Sequence, residues 1–116
     1  MAVGLHRAGF EVVGYDIEPQ KNYPFEFIQQ DALTVDLSGF DAVWASPPCQ
    51  AYSVATQALR HGGKEYPDLL PATRELLNSS GKPWIIENVP GAPMDAHVVI
   101  CGCQVGLKLR RKRWFE

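Results

Sequence analysis

Apolar and β-branched residues recur along the chain in short runs, separated by polar stretches that carry most of the glycines and prolines. Residues 2–8 read as a short helix that Gly9 ends, and residues 10–16 (FEVVGYD) have the β-branched and aromatic content of a strand. Residues 25–30 predict a second strand and residues 41–45 (DAVWA) a third. From position 46 to 63 no period is sustained, and Pro47, Pro48, Gly62 and Gly63 punctuate the stretch, which predicts a long loop. Long loops inside compact domains are commonly functional. Leu69, Leu70, Thr73, Leu76 and Leu77 then recur at helical spacing; Pro71 must lie in the first turn of that helix, and Gly81 closes it. Residues 84–87 (WIIE) predict a fourth strand, residues 88–95 a Pro/Gly loop, and Val98–Cys101 and residues 113–116 the last strands. Strands alternating with helical or loop stretches, without repeats or a linker, imply an α/β fold.

Two polar sequences follow predicted strands directly: SPPCQ after DAVWA, and ENVPG overlapping the end of WIIE. Open α/β sheets bind ligands at the carboxyl ends of their strands. Cys49 and Glu87 are therefore expected to face one crevice although they are distant in sequence.

Composition narrows the setting. A chain of 116 residues with 46% hydrophobic content suits a single domain with a buried core. The uninterrupted apolar runs are only a few residues long and no basic-then-apolar leader opens the chain, so neither a membrane span nor secretion is expected, and the cytoplasm is the default location. Three cysteines, an odd count, argue for free thiols over a disulfide framework. The net charge of −2 carries no signal for nucleic acid, yet five of the eleven basic residues fall within positions 108–113, a cluster able to meet phosphates.

Pro47-Pro48-Cys49-Gln50, Glu87-Asn88-Val89 and Arg111-x-Arg113 occur in the order of the nucleophile, acidic and paired-arginine motifs of DNA (cytosine-5)-methyltransferases, and over essentially its whole length the chain resembles that family. The resemblance implies a Rossmann-like S-adenosylmethionine-dependent core with a mostly parallel sheet, acting on double-stranded DNA in a bacterial or phage-infected host cytoplasm. Carbon 5 of cytosine is too weak a nucleophile to take a methyl group directly, so the family adds a thiolate to carbon 6 to make an enamine that can. Cys49 would be that thiolate, with Pro47 and Pro48 stiffening its approach while the residues after Gln50 stay free to move. The competing reading makes Cys49 a small buried hydrophobe. Glu87 would hydrogen-bond or protonate the ring nitrogen next to carbon 4, work that near neutral pH calls for a carboxyl group in a poorly solvated pocket. The plainer reading is a strand-end glutamate bonded to loop amides, and Asn88 reads as scaffold that ties the turn together.

Arg111 and Arg113, two apart on a strand, would share a face. By resemblance Arg113 contacts the carbonyl oxygen of an extruded base and Arg111 supports the catalytic loop; Leu109 stands where the family usually has glutamine. The alternative is a solvated basic run. For the cofactor, Asp16 at a strand end would accept from ribose hydroxyls, in preference to Glu18. Asp31, with Ala32 beside it, resembles the position that meets the adenine amino group. Pro48 and Leu69 would complete the cofactor contacts, although Leu69 at helical spacing equally suits a core. Gln50, Ser53, Gln57 and Arg111 are the candidate DNA contacts as the loop closes over a flipped base. Cys101-Gly102-Cys103 offers two thiols with only His97 nearby, short of a zinc site, so no metal is expected.

The family places a strand and Gly-rich loop before the helix that residues 2–8 resemble, and a target-recognition region after the paired arginines. The resemblance therefore implies that residues 1–116 form part of a catalytic core, either a fragment or one half of a split enzyme working with a complementing polypeptide. The alternative from a different class is a non-catalytic remnant that folds and at most binds DNA weakly through residues 108–113. The biological role, restriction-modification or phage self-protection, stays open.

Overall fold

The computed structural model describes residues 1–95 and 98–116 and divides into two compact units, residues 1–36 and 37–116. Both mix helix with sheet. Among the described residues no helix is long and apolar enough to cross a membrane.

In the first unit, helix α1 (Ala2–Arg7) ends where Gly9 adopts φ +96°, a conformation that favours glycine, and the amides of Gly9 and Phe10 donate back to His6 and Leu5. Strands β1 (Val13–Asp16) and β2 (Glu26–Gln29) pair in parallel from Val13↔Glu26 to Asp16↔Gln29. β1 begins three residues later than expected, leaving Phe10 about half exposed. Tyr23 lies across Gly14, where a Cβ would come within 2.5 Å of its ring, and stacks edge-on towards Phe25. Asp31 caps a 3-10 turn at Ala32–Thr34 by accepting from the Leu33 amide. Val35 is the buried apolar residue of this unit.

The second unit carries a four-stranded sheet in the order β3-β4-β6-β5, where β3 is Val43–Ala45, β4 Trp84–Asn88, β5 Val98–Cys101 and β6 Lys112–Phe115. β3 and β4 are parallel (Val43↔Trp84, Ala45↔Ile86), whereas β6 runs antiparallel to both β4 and β5. The sheet is thus mixed, its parallel half being the pair that a long crossover must join. That crossover contains α2 (Gln57–His61) and α3 (Leu70–Ser80).

α3 follows its sequence pattern. Leu70, Thr73 and Leu77 are its buried residues, three and four apart on one face; Pro71 sits in the first turn, and Gly81 closes the helix at φ +66°. Asp68 accepts from the Leu70 amide at 3.1 Å and stands in for an absent cap at Leu69. Leu70, Leu77, Ile86 and Ala92 form the core, with Val43, Ala45, Tyr52, Trp84 and Met94 packed on it. Along β4, Ile86 and Asn88 are buried while Ile85 is 40% exposed, the alternation of a strand with one covered face.

The expected long loop is more ordered than its sequence suggests. Within residues 46–63 lie a 3-10 turn at Val54–Thr56, capped by the Ser53 hydroxyl, and α2. α2 shows no apolar period because polar bonds hold it, and Leu59 is left half exposed. β6 begins at Lys112 instead of 113, and Glu116 still exchanges backbone bonds with Ile86 (2.9 and 3.0 Å).

Candidate active site at the ends of β3 and β4

Parallel strands end on the same side of a sheet, and the Ala45↔Ile86 pairing brings the residue after each strand position to one level: Ser46 on one chain segment, Glu87 on the other. The Ser46-Pro47-Pro48-Cys49 segment leaves β3 at this edge. Ser46 accepts from the indole of Trp44 at 3.2 Å, and the Pro47 carbonyl accepts from the side-chain amide of Asn88 at 3.2 Å. Asn88 is 2% exposed, and its own carbonyl accepts from the Val89 amide at 2.8 Å. A buried amide with both ends bonded holds the approach to Cys49 against the end of β4. This is the scaffold role expected of Asn88.

Cys49 is half-buried, and its carbonyl accepts from the amides of Tyr52 (3.0 Å) and Ser53 (2.8 Å). The turn that follows is clamped by Arg60, a residue the sequence did not single out. One guanidinium nitrogen of Arg60 donates to the carbonyls of Gln50 (2.7 Å) and Ser53 (2.8 Å) and to the hydroxyl of Thr56 (2.6 Å). Thr56 in turn donates to the Gln50 carbonyl at 2.7 Å. The residues after Gln50, expected to be free, are in this structure tied into a compact turn. An isolated arginine ten positions beyond Gln50 carries no local signal for that contact.

Glu87 and Arg113 form an ion pair, Oε1 to Nε 2.5 Å, with about a fifth of each side chain exposed. The register explains it. Glu87↔Phe115 and Asn88↔Trp114 place Arg113 diagonally across from Glu87, two positions along and on the same face. A second guanidinium nitrogen of Arg113 donates to the Lys112 carbonyl at 2.9 Å. Arg111 is exposed and falls just before β6, where its carbonyl accepts from Gly102, so the two arginines do not share one strand.

The remaining candidates are placed as follows. Gln50 and Gln57 are exposed, and the Ser53 hydroxyl caps the amide of Ala55 at 3.2 Å. Pro48 is exposed; Leu69 is partly buried and precedes α3, its carbonyl accepting from Thr73. Asp16 is the last residue of β1 and Asp31 lies two residues past β2, adjacent parallel strands, with Ala32 exposed beside Asp31. Asp16 accepts from the Glu18 amide (2.9 Å) and the Gln20 side chain (3.2 Å), Asp31 from the Leu33 amide (3.0 Å). A carboxyl group has several acceptor lone pairs, so both side chains keep acceptor capacity beyond these bonds. His97 lies outside the described residues, among which no group of three or more His, Cys, Asp or Glu could hold a metal ion.

Comparison with family models, with curated proteins and with solved structures returned no match. What the residues themselves place together in the second unit is a half-buried thiol, a carboxylate paired with a guanidinium, and a buried amide linking the two strand ends.

Proposed function

We propose that this chain carries the chemistry-bearing part of a DNA (cytosine-5)-methyltransferase, a Rossmann-like core that transfers methyl groups to duplex DNA when its remaining segments are present in the same chain or in a complementing polypeptide. The observation that carries the reading is the approach to Cys49 tied by Asn88 to the strand that bears Glu87, with Arg113 against that glutamate. A solvated basic run would leave Arg113 in water, and a core cysteine would not need a clamped polar turn.

In this reading the Cys49 thiolate adds to carbon 6 of an extruded cytosine: a carbon–sulfur bond forms, the carbon 5–carbon 6 π bond shifts to carbon 4–carbon 5, and the pair displaced from the carbon 4–nitrogen double bond takes a proton from Glu87 at that nitrogen, leaving the enamine. Glu87 holds the ring nitrogen next to carbon 4, and Arg113, already aligned by Glu87, takes the carbonyl oxygen. Asp16, Asp31 and Ala32 would take the ribose and adenine of S-adenosylmethionine, which when bound supplies an electrophilic methyl group. Gln50, Ser53, Gln57 and Arg111 would meet the DNA.

The test uses the chain joined to the strand, Gly-rich loop and target-recognition region of a family member, incubated with S-adenosylmethionine and a duplex carrying 5-fluorocytosine at the target. The fluorine blocks elimination and traps a covalent protein–DNA adduct, which denaturing gels resolve. The adduct is expected with the unmodified sequence and lost in Cys49→Ala. An adduct that persists in Cys49→Ala removes Cys49 from this role.

A further inference from the structure

The two cysteines outside the candidate site lie against each other. Cys101 ends β5 and is buried; Cys103, in the 3-10 turn Gly102–Val105, is exposed, and its thiol donates to the Cys101 sulfur with the two sulfurs 2.9 Å apart. The turn is pinned on several sides. The Cys101 amide donates to the Gln104 side chain at 2.6 Å, the Gly102 amide to the Arg111 carbonyl at 3.2 Å and the Leu107 amide to the Gly102 carbonyl at 3.0 Å. A Cβ at position 102 would come within 2.7 Å of the Leu109 carbonyl oxygen, so glycine between the cysteines is what lets the turn close. Across the ladder Cys101 is paired with Lys112. The Cys103 thiol and then its backbone, with smaller help from the Arg111 backbone and this cation, push the Cys101 thiol down against its burial, and the contact with Cys101 pushes the Cys103 thiol up.

We propose that Cys101 and Cys103 form a thiol–disulfide exchange site that accepts small-molecule disulfides and closes reversibly into an intramolecular disulfide. The exposed Cys103 is the point of entry. Exposure, not acidity, makes it the entry: the fraction of Cys103 that gives its proton to solvent attacks, as the thiolate, one sulfur of the incoming disulfide, forming a mixed disulfide and releasing the other half as a thiolate, while the more acidic Cys101 is suited to the second step. Cys101, held beside it, then attacks the Cys103 sulfur and expels the second half. Two electrons pass from the cysteine pair to the small disulfide, and the two protons end on the two released thiols. Cys49 takes no part.

The experiment is equilibration of the 116-residue chain in buffers of increasing oxidised-to-reduced glutathione ratio, followed by alkylation, intact mass measurement and peptide mapping. The expected product has lost two hydrogens, bears no glutathione at positions 101 and 103, and contains a 101–103 bond whose fraction rises with the ratio. Cys101→Ser should trap glutathione on Cys103, whereas Cys49→Ser should still form the 101–103 bond. A glutathione adduct that stays on Cys103 in the unmodified chain overturns the proposal. So does a bond from Cys49 or between chains in place of the 101–103 bond, or a pair that stays reduced at every ratio.

Discussion

Tyr52 shows how one side chain records its surroundings. It packs on the core, and its hydroxyl donates to the Asp68 carboxylate, which also accepts from the first amide of α3. Burial, then the hydrogen bond and charge of Asp68, push the phenol from its ordinary 10 up to about 12. Because the folded value is raised, the stability this contact contributes is complete below pH 10 and is lost as the pH rises towards 12. In an absorbance titration a phenol step near 12 is expected from Tyr52, and Tyr52→Phe should remove that step and flatten the loss of stability between those values. A titration above pH 10 that Tyr52→Phe leaves unchanged would contradict the contact. The helical period of α3 was legible because it repeats within a few residues; the Tyr52–Asp68 pair, sixteen positions apart, was not.

At the scale of elements, α3 is tied to β6 by Arg74. Its guanidinium donates to both carboxylate oxygens of Glu116 (2.6 and 2.7 Å) and to the Pro93 carbonyl (2.9 Å), and the Glu116 side chain is only 6% exposed. Neither residue stood out in the sequence, because 42 positions separate them. Arg74→Ala removes the guanidinium from that buried carboxylate, on which the Asp95 amide (3.2 Å) remains. Removing one partner of a fully buried pair costs about 3–5 kcal/mol; with the Arg74 side chain 27% exposed, a loss of about 2–3 kcal/mol is expected. Urea unfolding followed by circular dichroism would measure it as a lowered midpoint at unchanged slope. An unchanged midpoint would show that the pair is worth no more than an exposed one.

For the whole molecule, the two units differ in what they bury. Residues 37–116 enclose Leu70, Leu77, Ile86 and Ala92 between α3 and a four-stranded sheet, while residues 1–36 bury Val35 beside two strands. Two-stranded sheets are marginal without a packed face. Amides of β1 and β2 are therefore expected to exchange with deuterium at least about tenfold faster than those of β3 and β4, roughly 1.4 kcal/mol less protection. Equal protection across both sheets would mean that residues 1–36 draw stability from more than their own core. The place of β6 is also decided at this scale: β6 lies between β4 and β5, and that order puts Arg113 beside Glu87.

The sequence by itself determined what acts over a few residues. Gly9 and Gly81 end their helices, Pro71 lies in the first turn of one, the aromatic and β-branched run Trp84-Ile85-Ile86 marks β4, Pro47-Pro48-Cys49 follows a strand and Glu87 stands near the end of one, because backbone preference and side-chain period are local properties. It did not reveal that polar bonds would order residues 50–61, since Arg60 and Thr56 have no period to display. Tertiary structure alone decided the antiparallel half of the sheet, the diagonal that joins Glu87 to Arg113, and the bond from Asn88 to Pro47, 41 positions away. Those contacts depend on which strand lies beside which and in what register, and that is settled by burying Ile86, Leu70 and Leu77 together, a condition that no window along the chain expresses.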